Sequence, residues 1–122
     1  MMAPVNPTDP PNKPPQQRIL IALGGNALCQ PDGSGYLDQT ALATIAQQVV
    51  TIAQSGVLPI ITFGNGPQVG QCLTHLVQDG QVLVPVANHP FALHTAVSWT
   101  QGEMAAALIS ALQSAWQTML PD

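Results

Sequence analysis

The sequence predicts an α/β domain built around a parallel pair of strands. Three observations carry that prediction: two short aliphatic runs at residues 19–23 and 57–63, a helix-period segment between them, and a Gly/Asn turn closing each run. Uninterrupted β-branched runs suit strands covered on both faces, and two such strands joined through a helix pair in parallel. The crossover is expected to be right-handed. A chain of 122 residues and 12.7 kDa fits one domain. At that length, roughly two-thirds of the unfolded surface can be buried.

Residues 1–17 contain six of the twelve prolines and no hydrophobic periodicity, so they read as a disordered extension ahead of a domain over 18–122. Ile19, Leu20, Ile21, Ala22 and Leu23 then form a strand stopped by Gly24 and Gly25. From Asp38 to Ser55, Leu42, Ile45, Ala46, Val49, Ile52 and Ala53 recur at spacings of three and four, and Gly56 follows as a stop. That is an amphipathic helix, with Asp38 placed to cap it.

Residues 57–63 make the second strand, with Pro59 near its start and Gly64-Asn65-Gly66 at its end. Pro67 suits a first helical position, and Val69, Cys72, Leu73, Leu76 and Val77 give the next helix an apolar face running to Asp79-Gly80. Residues 81–90 carry Val82-Leu83-Val84 between prolines and read as irregular or as a short edge strand. Beyond Phe91 the apolar positions suit helix in two ways. Thr100 with Glu103 spells a capping box that would start a fresh helix at Gln101, while the apolar pattern continuing on both sides suits one long helix from about residue 91 at least as well.

Charge narrows the function. Lys13 and Arg18 are the only basic residues, and the net charge is −4. Nucleic-acid binding and docking on anionic membranes both need clustered cations, so neither class is expected. No apolar run reaches membrane-spanning length and the N-terminus lacks a secretory pattern, which makes the cytoplasm the expected compartment. Cys29 and Cys72 lie 43 positions apart with no metal-ligand spacing and read as two reduced, partly buried thiols.

The informative feature is a repeated form, strand then Gly/Asn turn then helix, at Leu23-Gly24-Gly25-Asn26-Ala27 and at Phe63-Gly64-Asn65-Gly66-Pro67. Both turns leave the carboxyl ends of parallel strands, the edge at which open α/β sheets bind ligands. Glycine lets backbone N–H groups close on an oxyanion and reaches positive φ easily, and helix N-termini beneath the turns add partial positive charge. Asn26 and Asn65 can donate hydrogen bonds without net charge. Such a site suits one small anion, a carboxylate, carbamate or single phosphoryl group. It does not suit a nucleoside triphosphate, whose transfer chemistry relies on cations missing after residue 18.

The segment Ala22-Leu23-Gly24-Gly25-Asn26-Ala27-Leu28 resembles the opening motif of carbamate kinases in the amino acid kinase superfamily. Gly64-Asn65-Gly66-Pro67-Gln68-Val69-Gly70 resembles their second motif at a similar interval, and Thr100-Gln101-Gly102 is a weaker third match. The resemblance runs from about Arg18 to about Ala115, the first third or so of a full-length member. It implies a partial three-layer α/β/α sandwich with a mostly parallel sheet. It also implies a phosphotransferase acting between ATP or ADP and carbamate or carbamoyl phosphate, with magnesium. Relatives acting on other acceptors carry a lysine where Ala22 stands, which points to the carbamate kinase branch. In that branch the two turns hold acceptor and phosphoryl group, implying Gly24, Gly25, Asn26, Gly64, Asn65 and Gly66 here. The nucleotide-binding half, with its catalytic lysines and aspartate, is implied to lie downstream of Asp122. The family's usual histidine before Gly-Asn-Gly is Phe63 here. Members are typically dimers, so a homodimer or a missing C-terminal half is the implied partner. The alternative is a truncated remnant that binds an anion or dimerises without catalysis.

The remaining polar residues read more plainly. His75, His89 and His94 lack metal-ligand spacing, Asp32 and Asp79 sit in glycine turns, and Glu103 suits a helix surface. Met104, Trp116 and Met119 read as core or interface.

Overall fold

The computed structural model describes residues 16–78, 81–82 and 92–120. Strands β1 (Arg18–Leu23) and β2 (Leu58–Phe63) pair in parallel, with Leu20 opposite Ile60 and Leu23 opposite Phe63. Helix α1 (Gln39–Gln54) is the crossover between them. Helix α2 (Gly66–Leu76) follows β2. A minimal antiparallel hairpin comes next, β3 (Val77–Gln78) against β4 (Gln81–Val82), and helix α3 (Ala92–Met119) completes the order.

Local chemistry sets these bounds. The Asp38 carboxylate accepts from the N–H groups of Thr40 at 2.8 Å and Ala41 at 3.2 Å, which fixes the start of α1 as a side-chain cap. Its end is set by Gly56, whose φ of +88° belongs to the left-handed region. Gly66 opens α2, one residue ahead of the predicted Pro67, and the helix ends at Leu76 where β3 begins. Helix α3 is continuous over 28 residues. Of the two readings of its start, the fresh helix at Gln101 is overturned: the Thr100 hydroxyl donates to the Ala96 carbonyl at 2.7 Å, the bond of a mid-helix threonine rather than of a cap.

Helices α1 and α3 pack on each other and on one face of the sheet. Leu28, Leu42, Met104 and Leu108 form the main core, with Leu23, Ile61 and Phe63 of the strands resting against it. A second cluster of Ala46, Val50 and Ala115 continues toward the far ends of the helices. The other face of the sheet carries Arg18, Leu20, Ala22, Leu58, Ile60 and Thr62, all exposed. Among the described residues the architecture is thus mixed α/β, with the sheet and one helical layer of the expected sandwich. No helix among them is long and apolar enough to cross a membrane. Residues 1–15, His89, Asp79 and the 83–91 stretch, on which several expectations fall, lie outside the described residues.

Candidate functional site: two interlocked glycine turns

The parallel register brings both glycine turns to one end of the sheet. Gly64 N–H donates to the Leu23 carbonyl at 3.0 Å, extending the ladder one step past β2 and placing the second turn against the first. Gln68, only 3% exposed in the first turn of α2, donates through Nε2 to the Gly25 carbonyl at 3.1 Å. Gly25 is buried, and a Cβ there would meet Gln68 Oε1 and Pro67 Cδ at 2.9 Å and the Gly64 carbonyl at 3.1 Å. Glycine is required at 25 by this close approach of the two turns.

Gly24, Gly64 and Gly66 are exposed and differ in kind: a Cβ at Gly24 or Gly66 would meet nothing within 4 Å, and one at Gly64 only the Gly25 nitrogen at 3.9 Å. The expectation that positive φ explains the turn glycines is corrected. Gly24 is extended, with φ −69° and ψ 148°, and the positive-φ glycines are Gly33, Gly35 and Gly56. Gly35 also packs on the site from outside, since a Cβ there would sit 2.7 Å from the Pro67 carbonyl.

The symmetry expected of the two turns is corrected as well. The first leads into a four-residue 3-10 turn, Gly25–Leu28, closed by Ala27 N–H to the Gly24 carbonyl at 3.0 Å, and α1 starts only at Gln39. The second leads directly into the eleven residues of α2, whose first backbone bond runs from Val69 N–H to the Asn65 carbonyl at 2.9 Å. The N–H groups of a helix's first turn have no intrahelical acceptor, so positive potential concentrates at the second turn. Phe63, just before it, turns into the core instead of edging the site.

Asn65 and Asn26 behave differently. Asn65 Nδ2 donates to Thr100 Oγ1 at 2.9 Å and to the Val97 carbonyl at 3.2 Å, so its amide ties the second turn to α3. Asn26 is exposed, and its carbonyl accepts from the Cys29 thiol at 3.6 Å. Gln68 and Thr100 are the residues whose roles the motif reading missed. The signal for Gln68 was a polar residue on the helical face of Cys72 and Leu76, one and two turns on. Gln68 Oε1 is buried without a hydrogen-bond partner among the described residues, an acceptor at the seam of the two turns.

Other polar residues lie apart from the turns. Asp32 accepts from Ser34 N–H at 2.9 Å, and hydrogen bonds from Ser34 hold its carboxyl below the usual range. Exposed His75 shares a hydrogen bond with Gln71 at 3.1 Å, and His94 and Glu103 lie on the surface of α3. Burial, with the Glu103 carboxylate adding to it, pushes the Cys72 thiol up. Clefts of about 460 and 560 Å³ run along α1 and α3 and between α1, β2 and α3. Neither touches the glycine turns.

Comparison with known proteins places this sequence in a family. The chain is 37% identical over 89 residues to a carbamate kinase of Oenococcus oeni, covering 72% of this chain and 27% of that one. It is 34% identical over 96 residues to carbamate kinase 1 of Enterococcus faecium, covering 79% and 30%. With the carbamate kinase of Pyrococcus horikoshii it shares 39% over 84 residues, covering 67% and 26%. No protein-family model matches the chain. No solved structure matches it either. The chain belongs to the carbamate kinase family and spans between 26% and 30% of the length of these relatives.

Proposed function

We propose that this chain is the acceptor-binding portion of a cytoplasmic, carbamate kinase-type phosphotransferase. In this reading Gly24, Gly25, Asn26, Gly64, Asn65 and Gly66 form a cradle for carbamate or carbamoyl phosphate. The observation that carries it is the contrast among the glycines: Gly25 is filled by the opposite turn, while Gly24 and Gly66 border open space beside the start of α2. A small anion there would be held by main-chain N–H groups and the helix end, with no full positive charge required. Asn65 would act through the turn it fixes to α3, since both of its amide bonds go there.

The residues present do not fit a nucleotide and magnesium site. No lysine or arginine follows Arg18, and no group of three or more His, Cys, Asp or Glu able to hold a metal ion occurs among the described residues. No transfer step is therefore assigned to this chain, and ATP, ADP and magnesium would be bound by a part of the enzyme outside it. The second reading, an anion-binding remnant without catalysis, draws its support from the same lack of cations.

The test is a titration of the purified 122-residue chain with carbamoyl phosphate, followed through the amide resonances of Gly24, Asn26, Gly64 and Gly66. Saturable shifts at those four are expected. Shifts confined to other residues would overturn the assignment. A coupled assay for ATP formation from carbamoyl phosphate and ADP with magnesium is expected to give no turnover from the chain alone, and turnover on addition of a carbamate kinase C-terminal portion. Binding without rescue would decide for the remnant.

A further inference from the structure

Gln68 is a polar side chain in a position that burial would ordinarily give to an apolar one. Within the first turn of α2 its amide makes one hydrogen bond among the described residues, from Nε2 to the Gly25 carbonyl at 3.1 Å, and leaves Oε1 buried without a partner. A buried polar atom with unmet bonding capacity opposes folding, so what the amide contributes is that single bond. The carbonyl it grips belongs to the Gly25–Asn26 peptide, which is trans. A trans peptide is planar, with its C=O and N–H pointing in opposite directions. Holding the carbonyl toward buried Gln68 therefore turns the Asn26 N–H the other way, to the side of the first turn on which Gly24 and Asn26 are exposed. The carbonyl three residues back, at the spacing of a 3-10 turn, is that of Leu23, and it already accepts from the Gly64 N–H at 3.0 Å.

We infer that Gln68 is a positioning residue for the anion cradle, clamping the Gly25–Asn26 peptide so that the Asn26 N–H faces the ligand. This rests on the proposed reading of the two turns as the carbamoyl phosphate site. Gly25 makes the clamp necessary. Without a Cβ, its backbone rotates more freely than that of any other residue, and an unclamped peptide can turn over. A turned peptide presents a carbonyl oxygen to the anion where an N–H stood, exchanging attraction for repulsion. Gly25 and Gln68 are also matched in space: a Cβ at 25 would lie 2.9 Å from Gln68 Oε1, so the missing side chain admits the amide. The amide in turn restores the rigidity that glycine lacks. Gln68 needs no contact with the ligand, since it acts through the peptide it holds.

The experiment measures N–H orientations by residual dipolar couplings in the free 122-residue chain and then titrates it with carbamoyl phosphate, for the parent, Q68M and Q68E. Methionine keeps the length of the side chain without the donor. In free Q68M the Asn26 vector is expected to turn while the vectors of α1 and α2 stay as in the parent. Carbamoyl phosphate affinity is expected to fall roughly tenfold or more, with the response at Asn26 lost and that at Gly66 retained. Q68E supplies a readout that packing alone does not move. Its carboxyl donates to the Gly25 carbonyl when protonated and repels it when ionised, and burial raises its pKa. The ratio of its dissociation constant to the parent's at the same pH is therefore expected to fall as pH is lowered. The control Q48M, at an exposed position of α1, is expected to match the parent throughout. An Asn26 vector unchanged in Q68M overturns the inference, as does parent affinity in Q68M or a pH-independent ratio for Q68E. Disturbance of the α2 vectors together with Asn26 overturns it too, leaving Gln68 a packing role only. Orientation is read without ligand, so a parent chain that binds no carbamoyl phosphate sinks the proposed function, while an Asn26 vector that turns in Q68M leaves the clamp standing.

Discussion

Asn65 and Thr100, 35 residues apart in sequence, are joined by a hydrogen bond of 2.9 Å from the Asn65 amide to the Thr100 hydroxyl. The same hydroxyl donates to the Ala96 carbonyl at 2.7 Å, so the second glycine turn is fastened to a fixed point in the middle of α3. Replacing Thr100 by valine keeps the shape and removes the acceptor, leaving a part-buried amide proton with only the longer bond to Val97. Thr100→Val is expected to cost about 1–2 kcal/mol in urea unfolding, and Thr100→Ser distinctly less. Equal effects of the two would show that the hydroxyl is not the relevant group.

The glycines of the first turn are predicted to separate stability from binding. Gly25→Ala places a methyl group 2.9 Å from Gln68 Oε1 and Pro67 Cδ and is expected to cost about 1–3 kcal/mol by forcing the turns apart. Gly24→Ala meets no atom and sits at ordinary φ, so stability is expected to change by less than about 0.5 kcal/mol. Carbamoyl phosphate binding, read by titration, is expected to weaken in Gly24→Ala, because the new methyl group enters the proposed cradle.

Asp38 fixes where α1 begins, through two hydrogen bonds to backbone N–H groups. Asp38→Ala is expected to destabilise the chain by about 1 kcal/mol, and Asp38→Asn by a smaller amount since asparagine caps nearly as well. Thermal unfolding followed by circular dichroism measures both. A neutral alanine variant would mean that packing of α1 on α3 alone sets the boundary.

The Cys72 thiol has its pKa raised by burial and, less, by the Glu103 carboxylate. The thiolate is the nucleophile, so alkylation of Cys72 by iodoacetamide is expected to rise only at a pH above that of an ordinary thiol. Glu103→Gln removes a negative charge that opposes ionisation and is expected to move the profile toward lower pH. A profile that stays in place assigns the whole shift to burial.

Much of the fold is legible in the residues because it is local. Ile19 to Leu23 and the 57–63 run each gave a strand, Asp38 and Gly56 bracket α1, and the family of the chain follows from two short motifs. Where the reading missed, the deciding interaction joins residues distant in sequence. Thr100 and Glu103 satisfy a capping pattern, yet the helix runs through them because Met104 and Leu108 are held in the core by Leu28 and Leu42. The two turns look alike as text, and one leads to a short 3-10 turn while the other starts a helix.

The sequence by itself determined the order of the two paired strands and the three long helices, the cap of α1, the lack of cations after Arg18 and the two Gly/Asn turns, since periodicity, side-chain chemistry and charge are properties of neighbouring residues. Only the tertiary structure decided what each glycine does. Whether a Cβ at Gly24 or Gly25 meets open space or another backbone depends on where the parallel register sets Gly64, Pro67 and Gln68, some forty residues away along the chain.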